Sequence, residues 1–383
     1  ISKCLQKIKI SRANKVNTSD FKTIGKYPII DQGQDYIAGY SNDESKLFGD
    51  VPVVIFGDHT RCFKYVPFPF VIGADGTKIL KPDPNIFDTK FFYFQCISLS
   101  LPNRGYNRHF KLLKEKLLVC PPLPEQKAIA HILSQIQSAI EAQEKIIQTT
   151  TELKKALMNE LFTKGLRREN QKETEIGLIP ESWSVTSIES LIKETETRNP
   201  SENSTKMIKY VDVSSVSNQS FSIIGHQYVS GAEAPGRARK VIYENDVIFA
   251  TIRPSLKRIA KIEKEYHDEY CSTAFCVLRA DEAKLNYEYL YQYLLTDNFI
   301  QRITKLQSGA SYPAVTDKNV KELKIPIPSF DEQTEIGHIL KQIDNKLEIS
   351  KIKMSSLNNL FQTTLHELMI GQINLNNFVQ KEV

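Results

Sequence analysis

Basic side chains cluster beside glycine and proline at several points of the 383-residue chain. Arginine and lysine neutralise phosphates, and arginine can also hydrogen-bond guanine through two donors. Histidine, threonine and serine can contact either phosphates or bases. These residue types on turn-rich loops therefore predict a DNA-binding surface. The candidates are His59, Thr60, Arg61, Lys64, Arg104, Arg108 and His109 in the first part of the chain, and Arg237, Arg239, Lys240, Arg253, Lys257, Arg258 and Ser311 in the second.

Arg61 and Arg253 are the strongest of these candidates, because each lies on a polar loop directly after an apolar run that predicts a buried strand. For the lysines, an ordinary solvated loop is the main alternative, since most surface charge has no specific role. The charge of the chain as a whole is a modest guide. The net charge is +5, so the composition permits nucleic-acid binding without requiring it.

Motifs for catalysis are absent from the sequence. There is no Gly-x-x-x-x-Gly-Lys-Ser/Thr loop for nucleotide phosphates and no Asn/Asp-Pro-Pro-Tyr/Phe tetrapeptide of the amino-methyltransferase kind. Glu-x-Lys occurs at 152–154 and 322–324, without a convincing acidic partner for a nuclease. His131 and His338 lie on the predicted long helices and are interpreted as packing or capping-turn residues. We therefore expect no catalytic residue, no metal and no cofactor in this chain.

Six cysteines are present, and none forms a Cys-x-x-Cys pair, so we interpret them as reduced thiols rather than zinc ligands. No run of eighteen apolar residues and no secretory signal occurs in the sequence. These features together predict a cytoplasmic protein without a membrane span.

An internal repeat relates residues 125–162 to residues 332–369 at a constant offset of 207. Twelve of the 38 aligned positions are identical, including the pairs Glu125–Gln126 and Glu332–Gln333. Unrelated segments would share far fewer, so the match indicates a duplication. In both copies apolar residues recur at alternating steps of three and four, which is the spacing of a coiled-coil seam. The sequence therefore predicts two long helices that pair with each other.

The ends of both helices are also marked. A proline-rich segment precedes each one, with Ser329 or Asp331 as the expected N-cap of the second. Gly165 and Gly371 are the expected stops. Polar residues interrupt the seam and can fix its register; they are Gln143, Thr150, Lys154 and Ser350.

Each helix follows a strand-rich segment, which we call the first head (1–124) and the second head (184–330). Apolar runs predict buried strands at 51–56, 68–72, 246–250 and 274–278, and short amphipathic helices near Lys90–Gln95 and Tyr287–Leu295. The expected fold class is α/β (α+β). Two heads are separated by two long helices, 125–168 and 331–383, which form an antiparallel coiled coil with pseudo-twofold symmetry; an exposed linker occupies 169–183.

Three sets of motifs now allow a comparison with a known family. They are Ile-Gly-Leu-Ile-Pro-Glu-Ser-Trp at 176–183, the Pro-x-Pro and Glu-Gln helix starts at 121–126 and 326–333, and Gly-Asp-His-Thr-Arg at 57–61 with Ile-Gly-Ala-Asp-Gly-Thr at 72–77. Over essentially the whole chain, this pattern resembles the specificity subunits of type I restriction–modification systems. The first head lacks the Pro-x-x-Trp opening of the second, so we expect residues to be missing before Ile1.

The resemblance implies two target-recognition domains, each recognising one half of a split, asymmetric site in double-stranded DNA. It also implies two methyltransferase subunits bound along the helices, and restriction subunits that join them. S-adenosylmethionine, ATP and magnesium would belong to those partner subunits.

Two other interpretations remain open at this point. The chain could be the recognition part of a fused restriction–methylation enzyme, or a structural coiled-coil scaffold. A scaffold would not require two strand-rich heads with basic loops. A gel shift with random duplex DNA, with and without a co-purified methylase, would distinguish these interpretations.

Overall fold

The computed structural model describes residues 1–8, 14–73, 75–102, 105, 107–309 and 311–371. The chain divides into two compact units, one made of Ile1–Lys145 with the chain from Lys351 onward and the other of Ile146–Ser350. Each unit contains one head together with parts of both long helices. The predicted alternation of strand-rich heads and long helices is confirmed.

The described part of the first head has strands β1 (Lys15–Val16), β2 (Tyr27–Ile30), β3 (Gly39–Ser41), β4 (Leu47–Phe48), β5 (Val53–Gly57), β6 (Phe63–Val66), β7 (Phe70–Gly73) and β8 (Thr77–Leu80). One sheet has the order β1-β7-β2-β3, with β4 also paired to β7, and the other has the order β6-β5-β8. Strand β5 is antiparallel to both of its neighbours. Two short helices, α1 (Thr89–Ser98) and α2 (Phe110–Glu115), precede the long helix α3 (Leu123–Lys164).

The rest of the described chain has strands β9 (Gln171–Thr174), β10 (Gly177–Pro180), β11 (Ser184–Ser187), β12 (Ile192–Lys193), β13 (Met207–Val211), β14 (Gln227–Ser230), β15 (Ala238–Ile242), β16 (Val247–Ala250), β17 (Ile259–Lys261), β18 (Glu269–Ser272), β19 (Phe275–Ala280) and β20 (Lys324–Ile327). Its helices are α4 (Tyr287–Leu294), α5 (Asp297–Lys305), α6 (Asp317–Glu322) and α7 (Phe330–Met369). The main sheets have the orders β12-β19-β16-β17 and β14-β13-β18-β15, and β11 pairs with β20.

Within each unit the start of one long helix packs beside the end of the other. In the first unit, Ile129 and Leu133 share a core with Leu365 and Leu368. In the second, Leu161 and Phe162 share a core with Ile336 and Leu340; the cores of the heads continue into these clusters. The predicted antiparallel pairing is therefore present in each unit, and burial of the apolar seam against a head stabilises it.

Helices α1 and α4 occupy the predicted positions, and α4 has the predicted amphipathic pattern whereas α1 does not. Phe91, Phe92 and Phe94 of α1 are all buried, and so is nearly all of α4. Each short helix contacts a sheet of its own head on one side, and its other side is covered by long-helix residues such as Phe361 and Gly337. Because both faces of α1 are covered, its apolar residues occur all round, whereas α4 keeps Glu288 and Gln292 on one face.

The helix ends follow the sequence signals closely. The Ser329 hydroxyl accepts a hydrogen bond from the Glu332 N–H (3.3 Å), so Ser329 is the N-cap of α7 and Asp331 lies inside the helix. Gly165 and Gly371 have φ values of +65° and +73°, as left-handed stops require. Helix α3 consequently ends at Lys164 rather than at the predicted residue 168.

The linker was predicted to be simply exposed. The structure corrects this prediction, because the linker contains the hairpin β9–β10. Ile179 and Trp183 are buried in the core of the second unit. The Glu332 carboxylate accepts hydrogen bonds from the Leu166 N–H (3.0 Å) and from Nε1 of Trp183 (3.2 Å). A Cβ atom on Gly165 would lie 2.8 Å from this carboxylate. The Glu-Gln helix start therefore anchors the linker.

No helix in the described ranges is long and apolar enough to cross a membrane. The polar seam residues Gln143, Thr150 and Ser350 are buried, while Lys154 forms an ion pair with Asp344 (2.6 Å).

Candidate nucleic-acid interface

The loop between β5 and β6 of the first head places Arg61 in the left-handed region, with φ of 62°. The Arg61 N–H donates to the Gly57 carbonyl (2.8 Å), and its guanidinium donates to the Leu101 carbonyl (3.0 Å). A Cβ atom on Gly57 would lie 2.0 Å from Oγ1 of Thr60, so the turn requires glycine. A non-glycine residue held in this conformation is strained, and such strain is concentrated at functional sites.

Gln32 connects this loop to two others, and the sequence analysis missed it. Its side-chain amide donates to the Asp75 carbonyl (2.9 Å) and accepts from the His59 N–H (3.3 Å). Its carbonyl accepts a hydrogen bond from the Thr60 hydroxyl. The only signal in the sequence is a polar run directly after the buried strand β2. His59 and Thr60 are half-buried and thus help to fix the shape of the loop.

Lys64 and His109, which the sequence analysis grouped with the DNA contacts, lie in the interior instead. The Lys64 ammonium donates to the Asp31 carbonyl (2.9 Å) and lies 3.5 Å from the Asp31 carboxylate. Burial lowers the pKa of Lys64, against the opposing effect of Asp31. Nδ1 of His109 lies 3.0 Å from the Asp58 carbonyl. We therefore assign both residues to holding the loops together rather than to contacting DNA.

The second basic group of the first head is described only in part. Arg108 is exposed, directly before the buried His109 and helix α2. Arg104 lies outside the described residues.

The second head repeats the arrangement of the first. Strand β16 is antiparallel to both β17 and β19, as β5 is to β6 and β8. The loop after β16 places Arg253 in the left-handed region, with φ of 51°. The Arg253 N–H donates to the Pro313 carbonyl (2.7 Å), and its guanidinium lies 5.3 Å from the ring centroid of Tyr312. In both heads, a left-handed arginine on a strand hairpin is thus attached to a second loop.

Most of the other basic candidates of the second head are held by hydrogen bonds or ion pairs within the protein. Lys240 pairs with Asp317, Lys257 pairs with Asp297 (2.7 Å), and Arg258 donates to the Val213 carbonyl (3.0 Å). These three hold loops and neighbouring elements together. The half-buried Arg239 donates to its neighbouring carbonyl at Ala238 (2.8 Å).

Arg237 and Ser311 are exposed. The Arg237 carbonyl accepts from Thr273 (2.9 Å), and the Thr251 N–H donates to Ala274 (2.8 Å), so the turn after β18 lies between the loops of Arg237 and Arg253. This brings Arg237, Arg253 and the exposed Thr273 to one edge of the head. Thr273 was not predicted, since a lone threonine between two apolar runs gives no signal.

The arrangement of the two arginine loops suits binding of nucleic acid. An arginine on a fixed loop can donate two hydrogen bonds to guanine or to a phosphate. Among the residues that the structure describes, no group of three or more histidine, cysteine or acidic side chains could hold a metal ion.

Comparison with known proteins identifies the family. The family model described as "Type I restriction modification DNA specificity domain" matches residues 7–152 and 180–359. The chain belongs to this family. Each matched segment contains one head and one left-handed arginine, so the two heads are two copies of the same DNA specificity domain.

Curated relatives have the same character. The chain is 27% identical over 280 residues to the type I restriction enzyme MjaVIII specificity subunit of Methanocaldococcus jannaschii, covering 70% of this chain and 64% of the relative. It is also 27% identical over 297 residues to the putative MjaX specificity subunit of the same organism, covering 76% and 65%. The chain thus spans slightly less than two thirds of the length of these relatives.

A solved structure supports the fold. The crystal structure of a type I restriction–modification system S subunit from M. genitalium matches with a TM-score of 0.61 and 18% identity, covering 92% of this chain and 90% of that one. This match confirms the predicted fold of two strand-rich heads with long helices.

Proposed function

We propose that this chain is the DNA specificity subunit of a type I restriction–modification complex, and that each head recognises one half of a bipartite, asymmetric DNA site. The observation that supports this most is the matched placement of Arg61 and Arg253. Both follow the central strand of an antiparallel sheet, both have positive φ, and both are attached to a second loop. Two equivalent arginines on two domains are what recognition of two half-sites requires.

A fixed backbone makes each arginine a more selective contact. A guanidinium has five donors, of which Arg61 uses one on Leu101. The remaining donors can pair with O6 and N7 of guanine, a contact worth about 1–3 kcal/mol of discrimination against the wrong base.

Arg61→Ala and Arg253→Ala test this assignment in the complex with a methyltransferase. We expect Arg61→Ala to relax one half-site and Arg253→Ala the other, as measured by mapping methylated adenines in genomic DNA. Arg168→Ala is the control, since Arg168 is an exposed arginine that shares the positive φ (49°) but lies outside both heads. Its methylation pattern should be unchanged.

Two results would contradict this assignment. If both substitutions relax the same half-site, the two heads do not act separately. If both lower affinity uniformly and reduce the salt dependence, the arginines contact phosphates, and base recognition lies elsewhere.

The proposal also assigns the partners. Two methyltransferase subunits would dock on the helices, where large apolar side chains remain exposed: 51% at Leu153 and 66% at Ile349. Ile146 is exposed as well, whereas Ile132 packs against the core of the first unit. Restriction subunits would join this assembly.

Co-expression and sizing should give one copy of this chain with two methyltransferase copies. Leu153→Asp and Ile349→Asp should reduce that ratio while leaving the fold intact. The substitution Lys155→Asp, at an exposed neighbouring position, serves as the control. A chain with full DNA specificity and no methyltransferase would contradict the docking proposal.

Within such a complex this chain would be non-catalytic. S-adenosylmethionine, ATP and magnesium would be bound by the partner subunits, and the complex would act in the cytoplasm, which the six free cysteines favour. The purified chain, incubated with S-adenosylmethionine and duplex DNA, should transfer no methyl group unless a methyltransferase subunit is added.

We further propose that the long helices set the spacer between the half-sites. Four residues inserted after Gln143 lengthen α3 by about 6 Å at about 1.5 Å per residue. Because Gln143 is buried in the seam, the same insertion is needed after Ser350, its counterpart in the repeat. The double insertion should lengthen the spacer by about one to two base pairs, at about 3.4 Å each. An active variant with an unchanged spacer would contradict the proposal.

A further inference from the structure

The second head has a small hairpin whose position is fixed by hydrogen bonds. Ser308 and Ala314 exchange backbone N–H donors, both at 2.9 Å. The same segment is attached to the loop after β16, because Arg253 donates to the Pro313 carbonyl (2.7 Å) and the Val315 N–H donates to Thr251 (2.9 Å). Gly309, with φ of +91°, makes the turn possible. The hairpin and the arginine loop therefore form one platform.

Tyr312 lies on this hairpin with 72% of its surface exposed. One face of its ring is approached by the Arg253 guanidinium, whose central carbon is 5.3 Å from the ring centroid. A cation over an aromatic face is attracted by the ring quadrupole, and a guanidinium can also stack on the ring. The ring therefore limits the directions in which the Arg253 donors can point.

Arg253 differs from its basic neighbours in how its charge is balanced. Lys240 and Lys257 are neutralised by Asp317 and Asp297. Among the described residues no ion pair involves Arg253, and its guanidinium lies over the Tyr312 ring. An exposed cation without an acidic neighbour, next to an exposed aromatic ring, is suited to an anionic ligand with flat apolar groups. Duplex DNA has both properties.

We propose that Tyr312 is a specificity-determining residue of the second head: its ring orients the Arg253 guanidinium towards a guanine and packs against the neighbouring base or sugar. This inference rests on the proposed function, since it assumes that the second head recognises DNA. Tyr312 acts here as a positioning residue through its aromatic face. Arg253 and Ser311 were predicted from the sequence, but Tyr312, which directly follows Ser311, was not.

The test compares single and double variants in the complex with a methyltransferase, using duplexes changed at one base pair at a time. Arg253→Ala and Tyr312→Ala should each lose about tenfold in discrimination at the same base pair, within the range of about 1–3 kcal/mol for a bidentate arginine. The double variant should lose little more than either single variant, because the residues act as one unit. Tyr312→Phe should retain discrimination within about twofold.

Two controls separate this contact from structural damage. Tyr228→Ala removes another exposed tyrosine of the same head, 64% exposed on the edge strand β14, and should leave every duplex preference unchanged. The salt dependence of binding should not change in Tyr312→Ala, because no charge is lost.

The outcomes separate a failure of this inference from a failure of the proposed function. If the wild-type complex shows no sequence preference, the proposed function fails, and this inference fails with it. If Arg253→Ala changes the preference but Tyr312→Ala does not, or if the two changes affect different base pairs or add fully, only the inference is overturned. Equal losses in Tyr312→Phe and Tyr312→Ala would also overturn it, since the hydroxyl rather than the ring would then be responsible.

Discussion

Each head joins the long helices through one short buried helix, and comparison of these two contacts shows what the duplication has kept. We call the contact of α1 with the long helices the first joint and that of α4 the second joint. Gln126 accepts a hydrogen bond from the Asp88 N–H (2.9 Å) and donates to the Ile86 and Pro121 carbonyls (both 2.8 Å). Its counterpart in the repeat, Gln333, makes the same three bonds in the second joint.

In the second joint the partners of Gln333 are Asn286 (2.9 Å), Lys284 (3.1 Å) and Pro328 (3.2 Å). Asp88 and Asn286 are the N-caps of α1 and α4. One glutamine side chain therefore connects the start of the short helix, the loop before it and the start of the long helix. This explains why the glutamine occurs in both copies of the repeat.

Further along the two joints, the first contact is apolar and the second is polar. In the first joint, the rings of Phe94 and Phe361 lie 6.1 Å apart between their centroids. In the second, Gln292 donates to the Asp344 carboxylate (2.8 Å), which also pairs with Lys154 (2.6 Å). The offset of 207 makes Lys154 the counterpart of Phe361.

The difference indicates that the joints share geometry but not chemistry. A phenylalanine facing Asp344 would leave this partly buried carboxylate without its partners, which destabilises the contact. An apolar contact stabilises a joint without selecting a particular partner. A network of hydrogen bonds and ion pairs stabilises it only when every member of the network is present. We infer that the polar joint helps to specify which head docks on which helix ends.

Removal of the aromatic contact should have the largest effect. Phe94 is fully buried, and Phe94→Ala should destabilise the first unit by about 3–5 kcal/mol through lost burial and a cavity. Hydrogen exchange of the intact chain should show faster exchange in peptides of the first unit than in the wild type. Phe330→Ala, at a position with 42% of its surface exposed, is the control and should alter exchange much less. Unchanged protection in Phe94→Ala would mean that the aromatic pair does not stabilise the joint.

The shared glutamines should give an intermediate and equal effect. Gln126→Ala and Gln333→Ala each leave a backbone N–H without its partner, which costs about 1–3 kcal/mol when the group is buried. Urea unfolding followed by hydrogen exchange should place each loss in its own unit. Gln148→Ala removes an exposed glutamine on α3 and should cost only a few tenths, about the value of a helix surface pair. A large effect at only one of the two joints would contradict the equivalence.

The sequence analysis predicted the features that local chemistry determines. The repeat, the central strands of both heads, the Ser329 cap and the Gly165 stop depend on periodicity or on single-residue backbone preferences. It did not predict features that arise only when distant segments meet. The burial of Lys64 depends on Asp31, and the role of Gln32 depends on Asp75.

The errors have the same origin. Helix α1 was predicted to be amphipathic, but a sheet lies on one side and long-helix residues on the other, so little polar surface remains. The linker was predicted to be exposed from its charges. Its apolar residues Ile179 and Trp183 nevertheless pack into the core, where the Glu332 carboxylate accepts a hydrogen bond from the Trp183 indole.

Exchange of the polar joint for the apolar one should have the smallest net effect and gives the sharpest comparison. Asp344→Ala alone leaves Lys154 and Gln292 without their carboxylate partner. Because the Asp344 side chain is about one-third exposed (34%), we expect a loss of about 1–3 kcal/mol rather than the larger cost of a fully buried pair.

The triple variant Gln292→Phe, Asp344→Gln and Lys154→Phe places the residues of the first joint, Phe94, Gln137 and Phe361, at the corresponding positions of the second. Well-packed apolar replacements of a buried ion pair are often neutral or stabilising. We therefore expect the free energy of unfolding of the triple variant to lie within about 1 kcal/mol of the wild-type value, as measured by urea unfolding of the intact chain. Lys155→Ala, next to Lys154 but exposed, is the control. If the triple variant is less stable than Asp344→Ala, the backbones of the two joints differ too much to accept each other's side chains, and chemistry alone does not distinguish them.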